Sequence, residues 1–154
     1  MPPIRPIRPI SPIRPIGQPK LWIAGALVAV LAAWLLWPSR YAQVKNLTSP
    51  GSSIITFGDS LTSGYGAGPG EDYPSGLSKH IRVPVVNAGR SGDTTQSALA
   101  RVDEDVLAAS PRIVIVGLGG NDYLGGVAIG TTESNLRTIV RKIQGGGAMV
   151  VLLG

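Results

Sequence analysis

The sequence predicts an α/β domain built on a doubly wound parallel sheet, and three observations predict it. From Ser53 onward, four short runs rich in Val, Ile or Leu alternate with stretches of helical periodicity. The runs are apolar throughout rather than at alternate residues, the pattern of strands covered on both faces. With 44% hydrophobic and 15% charged residues in 154, the chain can bury one modest core.

The segment before that domain has a different character. Residues 1–20 form a basic tail in which Pro, Ile and Arg recur with a period of three from Pro3 to Ile16. Polyproline II also turns once in three residues, so each residue type would form its own stripe. A solvated disordered tail is the simpler reading and a docked ligand for an unknown partner the other; the isoleucine stripe fits the first poorly.

Residues 21–38 read as a transmembrane signal anchor. Leu21 to Trp37 is an uncharged apolar run bracketed by Lys20 and Arg40, at the short end of the roughly 17–25 residues that span a bilayer. Trp22, Trp34, Trp37 and Tyr41 lie near its ends, where an interfacial belt would place them, and Pro38 stops the helix. A cleaved signal peptide is the rival, but Arg40 spoils a small-x-small site before Ala42. Arg5, Arg8, Arg14 and Lys20 before the run, against Arg40 and Lys45 after it, predict a cytoplasmic N-terminus. The expected location is the inner membrane, single-pass, with the domain periplasmic or extracellular. Residues 39–52 follow as a linker.

Candidate strands are Ser53–Phe57, Val83–Asn87, Arg112–Gly117 and Ala148–Leu153. Helical stretches fall between them at Asp72–Ile81, Thr95–Ala109 and Thr132–Ile143, the last with Thr132 as N-cap. Right-handed crossovers bring the carboxyl ends of all strands to one edge of the sheet, where open α/β sheets build their sites. Ser60, in Gly58-Asp59-Ser60-Leu61, follows the first strand. Gly92 follows the second and Asn121, in Gly119-Gly120-Asn121-Asp122, the third. Taken singly, Ser60 could be a turn or a helix cap, Gly92 a loop glycine, and Asn121 a cap or a left-handed residue. Together they offer a hydroxyl nucleophile and an oxyanion hole. Its donors would be the Ser60 and Gly92 backbone N–H groups and the Asn121 amide.

These blocks resemble the SGNH (GDSL) hydrolase family. Gly58 to Gly66 is similar to its first block, Val86 to Thr95 to its second, and Gly117 to Asp122 to its third. The extended blocks resemble the bacterial thioesterase I, arylesterase and lysophospholipase branch. The resemblance, over Ile54 to Leu153, implies a flavodoxin-like sheet in order 2-1-3-4-5. It also implies metal-free hydrolysis of esters or thioesters, lipids among them, with Ser60 catalytic and Ser60, Gly92 and Asn121 forming the oxyanion hole. The family's Asp-x-x-His block, which supplies the base, has no match in this chain. The expectation is therefore a C-terminally truncated domain, its last strand and helix missing and its fourth strand left as an apolar edge. No general base is expected in the chain. His80, the one histidine, precedes the second strand on a helix leading to the opposite edge. Hydrolysis is then expected to be impaired, the alternatives being a non-catalytic anchored binding or interaction module, or a chain completed by another polypeptide.

Composition excludes other classes. The tail holds four of the 14 Lys and Arg, leaving ten against nine acidic residues, so the domain carries no nucleic-acid footprint. Without cysteine there is no disulfide framework or thiol nucleophile. No cofactor is expected. Gly64 to Gly70 lacks the Lys-Ser/Thr of a phosphate loop and reads as a mobile loop beside the site. Asp103-Glu104-Asp105 reads as a solvated helix face rather than a metal site.

Overall fold

The computed structural model of the chain describes Val30 and residues 43–154. The tail and, Val30 apart, the anchor at 21–38 lie outside the described residues. Among the described residues no helix is long and apolar enough to cross a membrane.

Residues 43–154 form one compact unit. Its elements are β1 (Ser53–Gly58), α1 (Ser60–Ser63), α2 (Tyr73–Ile81), β2 (Val85–Gly89), α3 (Thr95–Asp105), a 3-10 turn (Leu107–Ala109), β3 (Pro111–Gly117), α4 (Gly120–Leu124), α5 (Ile129–Gly145) and β4 (Met149–Leu152). The four strands pair in parallel in the order β2-β1-β3-β4. The chain steps from β1 to β2 in one direction and from β2 to β3 in the other. The switch point thus falls between β1 and β3, at whose carboxyl ends sites of such sheets form.

Register decides which side chains meet. Ile55 and Phe57 of β1 are level with Val114 and Val116 of β3, and all four are fully buried. Ala98, Val102 and Val106 from the α3 segment and Ile139 and Ile143 from α5 complete this core. The opposite face is covered less evenly. Thr56 is buried there and its hydroxyl donates to the Val86 carbonyl at 3.2 Å. Ile113 and Ile115 are half-buried, and Val151 of the edge strand β4 is 39% exposed. Leu152 and Leu153, 53% and 47% exposed, continue that apolar edge.

Several boundaries differ from those the sequence predicts. β2 begins at Val85 rather than Val83, because Arg82 ends α2 in the left-handed conformation and Pro84 brings no N–H to a ladder. The stretch 95–109 is α-helical only to Asp105 and tightens into the 3-10 turn beyond. Thr132 does not cap α5. That helix starts at Ile129 after Ala128, whose carbonyl accepts from the Thr131 and Thr132 N–H groups. The Thr132 hydroxyl turns instead to the Asp122 carboxylate at 3.4 Å. Asn46, in the segment read as linker, is tied to the domain by hydrogen bonds that its Nδ2 donates to the Gln144 and Ala148 carbonyls, both at 2.8 Å.

Capping places the helices that carry the site. Asp72 caps α2, accepting from the Ser75 N–H at 2.8 Å and the Ser75 hydroxyl at 2.9 Å. These bonds hold its carboxyl below the usual range, so the cap stays charged as pH falls further than a free aspartate would. Thr94 caps α3 through a reciprocal box with Ser97.

Candidate active site

The three candidate residues stand on three loops at the carboxyl edge of the sheet. Gly58, the last residue of β1, is level with Gly89 of β2 and Gly117 of β3. The chain leaves all three strands at the same height. Ser60 then opens α1, a single turn capped by the Asp59 carboxylate, which accepts from the Leu61 N–H at 3.0 Å. Ser60 is half-buried and Asp59 buried.

Hydrogen bonds draw the loops together. The Arg90 N–H donates to the Gly58 carbonyl at 2.9 Å, and the Ser63 and Ser91 hydroxyls share a bond of 3.0 Å. The turn bearing the serine is thereby joined to the loop bearing Gly92. The approach is close: a Cβ on Gly89 would lie 2.2 Å from the Ser63 nitrogen, so no larger residue fits without moving the Ser60 turn. The Asp59 N–H donates to the Gly117 carbonyl at 3.3 Å, joining the serine turn to the third strand.

Gly92 is the third residue of a turn closed by the Asp93 N–H on the Arg90 carbonyl at 3.1 Å. Its φ of 84° is the left-handed value a type II turn requires at that place, which explains glycine here. Asn121 lies in α4, one turn of helix too short to show in the sequence pattern. Its Nδ2 donates to the Asp93 carbonyl at 2.8 Å, linking the second and third loops. An amide nitrogen has two hydrogens, so one anchors Asn121 and the second is left for a ligand oxygen.

His80 is placed elsewhere. It lies near the end of α2, exposed, where the chain turns into the start of β2 at the amino edge of the sheet. Ser60 is at the carboxyl edge of the same sheet, so the strand length separates the two. No group of His, Cys, Asp and Glu among the described residues could hold a metal ion.

Sequence reasoning missed a layer of buried polar residues directly under the loops. Asp93 and Arg101 are 4% and 7% exposed and form an ion pair at 2.6 Å. Asp122, 1% exposed, accepts from the Thr95 N–H at 2.8 Å and from the Thr95 hydroxyl. It thus fixes α4 to the first turn of α3. The available signal was spacing: Asp93, Ser97, Arg101 and Asp105 recur every four residues, one polar stripe along a helix otherwise read by its apolar face. Asp105 accordingly is not simply solvated; it accepts from Arg101 at 2.7 Å. Asp103, on the open face, pairs with Lys142 at 2.5 Å.

A pocket of about 350 Å³ opens beside the Ser60 turn, lined by Asp59, Leu61, Thr62, Tyr73, Leu118 and Leu153 among others. Its walls are mainly apolar, with the Tyr73 hydroxyl 3.3 Å from that of Thr62. Burial raises the Tyr73 phenol above its ordinary range, and the Thr62 bond partly opposes this. Gly64 to Gly70 is built of successive turns, closed by the Ala67 N–H on the Gly64 carbonyl and the Glu71 N–H on the Gly68 carbonyl, both at 3.0 Å.

Comparison with known proteins supports a common origin for this arrangement. The sequence pattern of the GDSL-like lipase/acylhydrolase family matches residues 56–154. The chain is 34% identical to the esterase TesA of Pseudomonas aeruginosa over 107 residues, covering 66% of this chain and 53% of that protein. It is 37% identical to the thioesterase 1/protease 1/lysophospholipase L1 of Escherichia coli over 103 residues, covering 66% and 50%. The chain therefore spans about half the length of the curated relatives it matches. Among solved structures, AlinE4, an SGNH-hydrolase family esterase, superposes with a TM-score of 0.63 at 40% identity, covering 69% of this chain and 61% of that one.

Proposed function

The chain belongs to the GDSL-like lipase/acylhydrolase family, and from that premise we propose that it is a serine hydrolase of carboxylic esters or thioesters. One observation carries the reading. Ser60, the Gly92 turn and Asn121 sit on three loops locked to one another by hydrogen bonds at a single edge of the sheet. The Ser60 Oγ attacks the acyl carbon, and the carbonyl oxygen takes up the negative charge. The Ser60 and Gly92 N–H groups and the second N–H of Asn121 stabilise that oxygen. With the Ser60 proton released to solvent water, collapse of the intermediate expels an alkoxide or thiolate that water protonates. The acyl serine left behind is hydrolysed by a second water to regenerate Ser60. The apolar pocket beside the turn favours an acyl chain, including that of a lipid, over a charged group.

The proton of Ser60 needs an acceptor, and the chain's one histidine lies at the far edge of the sheet. We therefore expect these 154 residues to hydrolyse slowly, at the level an oxyanion hole and binding sustain without an imidazole base. The test is covalent labelling by a fluorophosphonate, followed by intact mass. The wild-type chain gains one adduct, Ser60→Ala gains none, and His80→Gln labels like wild type. A folded wild-type chain that takes no label would overturn the hydrolase reading. The non-catalytic anchored module, which the distance of His80 favours, would then stand in its place.

Residues 21–38 are proposed to anchor the domain in the inner membrane, with the N-terminus cytoplasmic. The uncharged run and its flanking charges support this. The full chain should stay in the membrane pellet after alkaline carbonate extraction. Release into the supernatant would refute the anchor.

A further inference from the structure

We propose that Arg101 is the positioning residue of the oxyanion site. The proposal rests on Asn121 being an oxyanion donor. Arg101 reaches up from the middle of α3, and its guanidinium is buried. Nη2 donates to the carbonyl of Gly58, two residues before Ser60, at 3.1 Å. Nη1 donates to the carbonyl of Ala88 near the end of β2 at 3.0 Å, and to Asp105 at 2.7 Å. Nε donates to the Asp93 carboxylate at 2.6 Å. The other oxygen of that carboxylate accepts from the Ser97 hydroxyl at 2.8 Å.

The consequence lies in what Asp93 does next. Its side chain is fixed by Arg101 and Ser97, and its backbone carbonyl is the acceptor that orients Asn121. Asp93 also follows Gly92 directly, so the same anchor sets the turn that presents the Gly92 N–H. One planar group therefore fixes the ends of β1 and β2, the Gly92 turn and, through one carbonyl, Asn121. Packing alone does not explain an arginine here. A buried ion pair costs desolvation that an apolar residue of similar volume avoids, so its value lies in directed bonds. Lysine would keep the charge but not the planar fork that reaches several acceptors at once.

The experiment is a double-mutant cycle on the 154-residue chain, using p-nitrophenyl butyrate hydrolysis, with amide NMR of the Asn121 side chain as a second readout. Arg101→Lys should lower kcat about tenfold to a hundredfold, within what one oxyanion donor supplies, with KM changed less than about twofold. The double variant should be about as slow as Asn121→Ala alone, within about threefold, because Arg101 acts through a donor that Asn121→Ala has already removed. A merely structural role predicts independent losses, and additivity would overturn the proposal. Asp93→Asn, nearly isosteric, should give the same coupling and serves if Arg101→Lys does not fold. In the NMR arm, the Asn121 side-chain resonances should move toward solvent-exposed values in both variants. Unchanged resonances in a folded variant would also overturn the proposal. If the wild-type chain shows no hydrolysis, the esterase reading fails on its own, while the NMR arm still judges the positioning.

Discussion

Replacing Asn121 by alanine is expected to lower kcat on an activated ester by about 10²–10³, the usual cost of one oxyanion-hole donor, while KM changes little. The split follows from chemistry. The ground-state carbonyl is weakly charged, whereas the tetrahedral intermediate places a full charge on the oxygen that the amide faces. The same substitution frees the Asp93 carbonyl from its 2.8 Å bond. That loss is worth only about 1 kcal/mol of stability, so the unfolding midpoint should move far less than the rate. Ser60→Ala should cost at least as much turnover as Asn121→Ala, because the acyl serine cannot form without the Ser60 hydroxyl. Parallel measurement of both variants on p-nitrophenyl butyrate decides the point. If Ser60→Ala proves the less damaging of the two, water rather than Ser60 attacks the ester in this chain.

The parts of this architecture visible in the sequence are those set by local pattern. The apolar runs around Ile55, Val86, Val114 and Val150 are strands in a parallel sheet, and the blocks at Ser60, Gly92 and Asn121 fall at its carboxyl edge. Elements of a single turn were not visible. The helices at Ser60–Ser63 and Gly120–Leu124 are too short for periodicity to register, and Ser60 and Asn121 both belong to them. Boundaries moved where a single residue interrupts a pattern, as Pro84 does before β2. The buried polar layer was hidden for a different reason. Arg101 lies among the apolar residues of α3 and is paired with an aspartate eight positions away and with carbonyls of two strands. The four-residue spacing from Asp93 to Asp105 marks a polar stripe, but the strand carbonyls that Arg101 reaches are set by tertiary folding, which no helical pattern reports. Asp122 is comparable: its partners Thr95 and Thr132 lie on two other helices.

The largest effect on stability is expected at Phe57. It is the only phenylalanine of the chain, fully buried near the end of β1, an interior strand of the sheet. Truncating such a ring to alanine costs about 3–5 kcal/mol, since surrounding side chains only partly close the cavity. Phe57 also lies beneath the Arg101 guanidinium, 4.4 Å from the ring centroid. A desolvated cation over an aromatic face contributes about 2 kcal/mol, so the cavity estimate is a lower bound here. A small domain has about 5–15 kcal/mol in total. Phe57→Ala should therefore lower the urea midpoint by at least a third, or leave the chain unfolded at room temperature. Phe57→Leu separates the two contributions, because it retains much of the volume but removes the ring from Arg101. Its cost should exceed the roughly 1.5 kcal/mol of an ordinary volume-conserving exchange. Urea unfolding followed by circular dichroism measures both variants. A loss below about 1 kcal/mol in Phe57→Ala would mean that the ring is not part of the cooperative core. A Phe57→Leu variant at or below the ordinary cost would mean that the ring does nothing for the arginine. The residue after Phe57 is Gly58, whose carbonyl Arg101 holds. The ring thus supports, from the core side, the same guanidinium that sets the loops around Ser60 from above.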